Sequence, residues 1–452
     1  RLQGDWSSDV CSSDLNHPNV GRRPHHPIDP TIAPRDAMNA IATSVDDSFQ
    51  RMRDKLEAEK LRPHHAMDPY FYRSHLVHEQ ELEHLIFKSW IYALHASEIP
   101  SAGDYQLVEI GEDSIIVART ETGDIRAMHN ICRHRGARVC EELSGNRKTY
   151  VCPYHGWVYN HEGELLSIRD PEDFKDLDFG CRSLARVRCE RFGKLIFINF
   201  DDDAPSLLDY LGPIAKEWEE FQFDECRLAA RHRFVLDCNW KIAMEANTEV
   251  YHVKSIHPST VAPILDDRRN VNTLYPNGHN RMIAPRPQGA FETETMQQRQ
   301  TMNEIASVGE IARTCTQSYG VFPNWVSPLS PYALPPLLFW PKGINQCVLE
   351  TWTLAPDWGD GPAPDMWTEN SGERLAQVLR EDTEFGAWIQ KSVESYGFKG
   401  VPLSYQEARI YYWHQHADEI IGREHIPDHL RVPSVIGEDW VYPNDPRRSA
   451  LA

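Results

Sequence analysis

Long apolar runs are missing from this 452-residue chain. None approaches the roughly 20 residues that cross a bilayer, so no membrane span is expected. The start also lacks the charged, apolar and small-residue order of a secretory signal, and the expected location is the cytoplasm. Basic charge is short as well: 47 Lys and Arg stand against 67 Asp and Glu, a formal net charge of −20. A nucleic-acid or anionic-membrane binder needs a basic face, and neither partner is expected. There is no Gly-x-Gly-x-x-Gly following a strand, so the chain offers no nicotinamide or flavin site of that kind. Internal repeats are absent too. What is present is the balance of a globular chain with a sizeable core, 41% hydrophobic and 25% charged residues.

Ten cysteines in a long chain without an export signal read as reduced thiols or metal ligands rather than disulfides. Residues 1–15, including Cys11, match a read-through translation of a sequencing-library adapter and are expected to be foreign to the protein. Residues 16–66 read as a polar tail followed by a charged helix near 37–60, and a second helix is predicted over Glu79–Trp90. A Gly-Glu-Asp turn between Gln106–Ile110 and Ser114–Arg119 predicts a hairpin, and Lys194–Phe200 a further strand. Beyond Asp201-Asp202-Asp203-Ala204-Pro205, a boundary signal, the pattern mixes helices (205–221, 240–253, 371–395) with strands such as Cys347–Leu354. That mixture is an α+β pattern.

Two loops concentrate the chemistry. Cys132-Arg133-His134 is followed after seventeen residues by Cys152-Pro153-Tyr154-His155, so each loop offers one thiolate and one imidazole. An iron–sulfur cluster with two histidines on one iron and two cysteines on the other needs this set, and imidazole ligation raises its reduction potential. Zinc accepts the same donors, but zinc sites favour Cys-x2–4-Cys and His-x3–5-His pairs over mixed ones. Cys140 reads as a small buried hydrophobe, and cysteines 181, 189, 226, 238, 315 and 347 form no ligand pattern.

Cys132-Arg133-His134-Arg135-Gly136 with Cys152-Pro153-Tyr154-His155-Gly156-Trp157 resembles the cluster motif of Rieske non-haem iron oxygenases, α subunit, over about residues 67–443. The resemblance implies an all-β Rieske [2Fe-2S] domain at 67–200. It implies a helix-grip-type α+β catalytic domain with an antiparallel sheet at 201–452.

A second constellation lies at 237–257. Asp237 and Asn239 offer helix caps, and Ile242, Glu245, Glu249, His252 and Ile256 would share one stripe within about 80° on a regular helix. His252 and His257 are five apart, about 140° round such a helix, so the turn between them must distort or end, as Pro258 suggests. Two imidazoles and a carboxylate form the facial triad of non-haem Fe(II) oxygenases. In the predicted helix 371–395, Leu375, Val378, Leu379, Phe385, Ile389 and Val393 define an apolar face with Asp382 near its centre, which makes Asp382 the expected third ligand and Glu381 the reserve. The family carries its ligand Asp in a similar Glu-Asp context.

The family also holds an acid three residues before the first iron histidine, bridging to a cluster histidine across a subunit boundary; that implies a bridging role for Glu249. One departure is that Ala246 follows Glu245, with Asn247 displaced by one position. By resemblance the chain is a terminal oxygenase subunit with a [2Fe-2S] cluster and Fe(II). Electrons would come from NAD(P)H through a reductase, with or without a ferredoxin. O2 and a small organic substrate are the reactants, and the assembly is a head-to-tail homotrimer or α3β3. Aromatic hydroxylation is the first expectation. Oxidation or demethylation of quaternary ammonium, methoxy or N-methyl compounds is the alternative, and a Rieske electron carrier or a structural zinc protein are the non-enzyme readings. The segment 262–345, with Met282, Phe291, Tyr319, Phe322, Trp325 and Leu337–Trp340, is expected to help line the pocket.

Overall fold

The computed structural model describes residues 67–442 apart from Thr301, Met366 and His429. The adapter-like segment 1–15, the tail and the charged helix near 37–60 lie outside the described residues.

The predicted hairpin forms from Asp104–Ile110 and Asp113–Arg119, antiparallel with Val108 opposite Ile115. Gly111 (φ 57°) supplies the left-handed conformation a two-residue turn needs. The second of these strands is buried along its middle because it serves two cores. Alternation sends Ile115 and Val117 to one, Ile116 and Ala118 to the other. The hairpin sits in a seven-stranded sheet ordered Ile91–His95, Leu195–Asn199, Arg186–Phe192, Ile125–His129, Asp113–Arg119, Asp104–Ile110, Ser144–Asn146. A small three-stranded sheet, Tyr150–Val151, Val158–Tyr159 and Leu165–Ser167, packs on its second core.

A second seven-stranded antiparallel sheet is ordered Arg227–Leu236, Cys347–Ala355, Leu337–Pro341, Trp325–Leu329, Cys315–Val321, Asn280–Pro285, Val271–Leu274. Helices Trp240–Ala246, Glu369–Val393 and Ala408–Ile421 pack beside it. The architecture is α+β, as expected.

The two large sheets share one core. Tyr92 lies edge-on to Trp325 and Trp352, both at 4.9 Å, and Phe197 stacks on Trp325. Such pairs add about 0.5–1.5 kcal/mol each beyond the area they bury. Glu98 reinforces the junction by accepting from Trp352 Nε1 (3.0 Å) and Arg231 Nη1 (2.9 Å).

Two expected helices differ. In place of one helix over 79–90, His75–Gln80 runs into a π-turn at Glu81–Ile86. Glu81 there forms a buried ion pair with Lys241 (2.5 Å) and accepts from Trp240 Nε1 (3.0 Å). The helix predicted over 240–253 stops at Ala246, resumes only at Val253 and ends at Ile256.

Candidate iron–sulfur and mononuclear metal sites

The two Cys/His loops are built alike. Cys132 N–H donates to Ala137 C=O and Gly136 N–H to Cys132 C=O; Cys152 pairs with Trp157 and Gly156 in the same way, all four bonds at 2.8–3.0 Å. Each turn needs a left-handed residue at its glycine, φ 78° at Gly136 and 72° at Gly156. The loops point their cysteines inward and leave the histidines half-buried. Tyr159 OH lies 3.3 Å from Cys132 Sγ and accepts Arg133 N–H at 3.0 Å. His134 stacks on Trp157 (5.1 Å, 8°) and its Nδ1 faces His155 Nδ1 at 3.1 Å. Burial and then the facing His155 ring lower the pKa of His134, which favours the neutral form a ligand needs.

A single zinc would draw its four donors to within about 4 Å of one another, given bonds of about 2.0–2.3 Å. No three of the donors of Cys132, His134, Cys152 and His155 lie within 4.8 Å of one another among the described residues. An inner sulfur pair and an outer nitrogen pair fit a two-iron cluster better.

His252, His257 and Asp382 do converge, with donor atoms all within 4.8 Å. His252 immediately precedes the one-turn helix Val253–Ile256 and His257 immediately follows it. The required distortion therefore falls at His257, with φ −113°, ψ 45°, while His252 stays helical at φ −74°, ψ −19°. Asp382 comes from the middle of the Glu369–Val393 helix, its Oδ1 2.9 Å from His257 Nε2 and 3.6 Å from His252 Nε2. Each imidazole has its other nitrogen on a glutamate. Glu249 Oε1 pairs with His252 Nδ1, and Glu381 Oε2 lies 2.6 Å from His257 Nδ1. Burial opposes charge on His257, but its bonds to Asp382 and Glu381 outweigh that and raise its pKa in the metal-free protein. Neutral imidazoles, one carboxylate and oriented outer partners are a donor set that fits Fe(II).

His252 and Asp382 of the triad line a cleft of about 960 Å³, open solvent included. Ile242, Glu245, Glu249, His252 and Ile256 all line it. The stripe read from the sequence thus holds in space although the helix beneath it is broken. Phe385 and Ile389, on the apolar helix face expected around Asp382, are 41% and 43% exposed and wall this cleft. No residue of 262–345 lines this cleft; Phe322 and Trp325 line a smaller cavity that shares Glu245 and Ile410 with it. Met282, Tyr319, Phe322, Trp325 and Leu337–Trp340 are buried in and around the second sheet, and Phe291 is exposed.

Sequence reasoning missed four residues around the site: Tyr72, His414, Glu407 and Thr260. Glu245 accepts from Tyr72 OH (3.0 Å) and pairs with His414 Nε2 (2.7 Å). Glu407, from Ser404-Tyr405-Gln406-Glu407, lines the cleft; burial and then its neighbours Glu249 and Glu245 raise its pKa. Thr260 donates to Glu381 at 2.7 Å. Only the Glu381-Asp382 pairing left a trace in sequence; the others depend on contacts between distant segments. Asn247 is the C-cap of the Trp240–Ala246 helix, and its side-chain amide donates back to Ala243 C=O at 2.9 Å.

Two family models match the chain, the Rieske [2Fe-2S] domain over 89–178 and the ring hydroxylating alpha subunit (catalytic domain) over 223–423. The chain belongs to the Rieske oxygenase α subunits. This Rieske oxygenase α subunit is 33% identical over 233 residues to the glycine betaine monooxygenase oxygenase subunit of Chromohalobacter salexigens, covering 51% of this chain and 52% of that one. It is 36% identical over 218 residues to the biphenyl 2,3-dioxygenase α subunit of Rhodococcus jostii, covering 46% and 47%. The chain thus spans about half the length of the curated relatives it matches. Naphthalene 1,2-dioxygenase from a Rhodococcus species shares the fold, with TM-score 0.66 at 23% identity over 85% of this chain and 100% of that one.

Proposed function

We propose that the chain is a terminal oxygenase component. It receives electrons that originate in NAD(P)H from a separate reductase, with or without a ferredoxin, and oxygenates a small organic substrate. Cys132, His134, Cys152 and His155 would hold the [2Fe-2S] cluster, and His252, His257 and Asp382 the Fe(II). Bound in these places, the cluster supplies one-electron transfer and the iron supplies O2 activation. The observation that carries the reading is the convergence of two imidazoles and one carboxylate at a cleft, in a chain that also folds a paired Cys/His loop site. Glu249 fixes the His252 ring through Nδ1 and is proposed as the acid that meets a neighbouring subunit's cluster histidine, in a homotrimer or α3β3 assembly.

Leu236, Ile242, Leu379, Phe385 and Ile389 give the cleft an apolar wall that excludes water and suits an aromatic ring, the first reading of the substrate. Charge favours a second. Four carboxylates, Glu245, Glu249, Asp382 and Glu407, line the cleft with no Lys or Arg among its described lining residues. Such walls, with Tyr72 and Phe385 for cation–π contact, suit a quaternary ammonium group.

The test is NAD(P)H-dependent O2 uptake and product formation with a reconstituted reductase, across aromatic acids, aromatic hydrocarbons and quaternary ammonium compounds. Asp382→Ala should abolish turnover and leave the cluster absorption intact. A colourless purified protein with one zinc per chain would refute the reading.

A further inference from the structure

We infer that Glu381 is a positioning residue for His257, and not a substitute metal ligand for Asp382. The inference rests on the reading of His252, His257 and Asp382 as the iron set. Glu381 and Asp382 are neighbours on one helix, yet they meet opposite nitrogens of the same buried ring: Glu381 Oε2 at Nδ1 (2.6 Å) and Asp382 Oδ1 at Nε2 (2.9 Å). A neutral imidazole carries one proton, and the carboxylate at Nδ1 accepts it. The Nε2 lone pair is then left facing the point where His252 Nε2 and Asp382 Oδ1 also converge.

Glu381 is itself held. Its Oε2 accepts from Thr260 Oγ1 at 2.7 Å and its Oε1 from Gln377 Nε2 at 3.3 Å. Thr260 lies three residues beyond His257, so one carboxylate ties the histidine's own loop to the helix that carries Asp382. A carboxylate in this position both fixes the ring and makes it a stronger donor. His252 with Glu249 has the same arrangement, so both imidazoles are oriented through Nδ1.

The experiment titrates Co(II) into the full-length protein, with its cluster loaded and the mononuclear site emptied, following the Co(II) absorption bands. Wild type, Glu381→Gln, Thr260→Val and Asp382→Ala are compared, with cluster absorption and far-UV circular dichroism as fold controls. Expected are about 10- to 100-fold weaker binding and shifted Co(II) bands in Glu381→Gln. Thr260→Val, which loosens Glu381 without removing its charge, should give a smaller loss in the same direction and carries the test if Glu381→Gln does not fold. Unchanged affinity and bands in both variants would overturn the inference. So would loss of binding in Glu381→Gln as complete as in Asp382→Ala, which would make Glu381 a ligand. Absence of Co(II) binding by wild type would instead refute the iron reading on which the inference stands.

Discussion

Lys241→Met tests how the segment before the first sheet is fastened to the helix that leads into the metal site. Lys241 Nζ and Glu81 Oε1 are 2.5 Å apart with side chains 1% and 4% exposed. At that separation the attraction is about 7 kcal/mol for an effective dielectric of 20. Desolvation of two ions, several kcal/mol each, offsets most of it. The pair as a whole therefore contributes little, but removing one partner strands the other charge at a cost of about 3–5 kcal/mol. With an unfolding entropy of about 2.1 cal/mol/K per residue over some 370 residues, about 4 kcal/mol lowers the thermal midpoint by about 5 °C. Glu81→Gln should cost a similar amount. The double variant Glu81→Gln/Lys241→Met should recover most of the loss, because Gln still accepts from Trp240 Nε1 and no charge is left buried. Multidomain unfolding is not two-state, so midpoints belong at one scan rate and one protein concentration, with iron content measured alongside. A shift below 1 °C in Lys241→Met, or a double variant no better than either single, would refute the reasoning.

Gly136→Ala and Gly156→Ala isolate the cost of backbone conformation in the cluster loops. A Cβ at either glycine meets nothing within 4 Å, so the penalty is that of a left-handed L residue, about 1–2 kcal/mol. Both variants should lose cluster absorption faster under chelator than wild type; equal rates would remove the argument for these glycines. His279 predicts acid sensitivity. Its Nδ1 accepts Phe322 N–H (3.0 Å), so Nε2 carries the proton donated to Tyr210 C=O (2.8 Å). Full burial holds its pKa down to about 3. The unfolded chain takes up a proton below about pH 6.5, while the folded one does not until near pH 3. This residue's stabilisation is therefore complete above pH 6.5 and falls by about 1.4 kcal/mol per pH unit below it. His279→Gln should flatten the decline in thermal midpoint between pH 6.5 and 5, and an unchanged slope would show the titration lies elsewhere.

Periodicity and turn chemistry made the strands legible. The hairpin at 104–119 and the strand at Leu195–Asn199 carry their own signals, alternation and a glycine where φ must be positive. The ligand residues were legible for a different reason: thiolates and imidazoles at short spacings have few other uses. The pocket was not legible. Strand residues such as Tyr319, Trp325 and Trp340 are as apolar as cleft walls, and composition cannot separate a residue packed in a core from one facing a substrate. The helix break after Ala246 was hidden as well. Glu249 and His252 fall in phase with a helix they do not belong to, because the chain returns to the same cleft after leaving helical geometry.

The end of the Val253–Ile256 turn at His257 has a physical cause. A metal ion draws its donors from divergent directions to one point, whereas a regular helix fixes residues five apart at about 140°. His252 keeps helical φ and ψ (−74°, −19°), so the two histidines meet one point because His257 leaves helical geometry through its own φ and ψ. The Cys/His loops resolve the same conflict with glycines at Gly136 and Gly156. Asp382 alone of the seven proposed ligands stays within a long helix, because a single carboxylate needs only the right phase. Regular structure therefore supplies the rigid third ligand and its neighbour Glu381, and irregular structure supplies the convergence. A substitution that carried the Val253–Ile256 helix on through His257 would separate the two histidines while leaving every donor in the sequence.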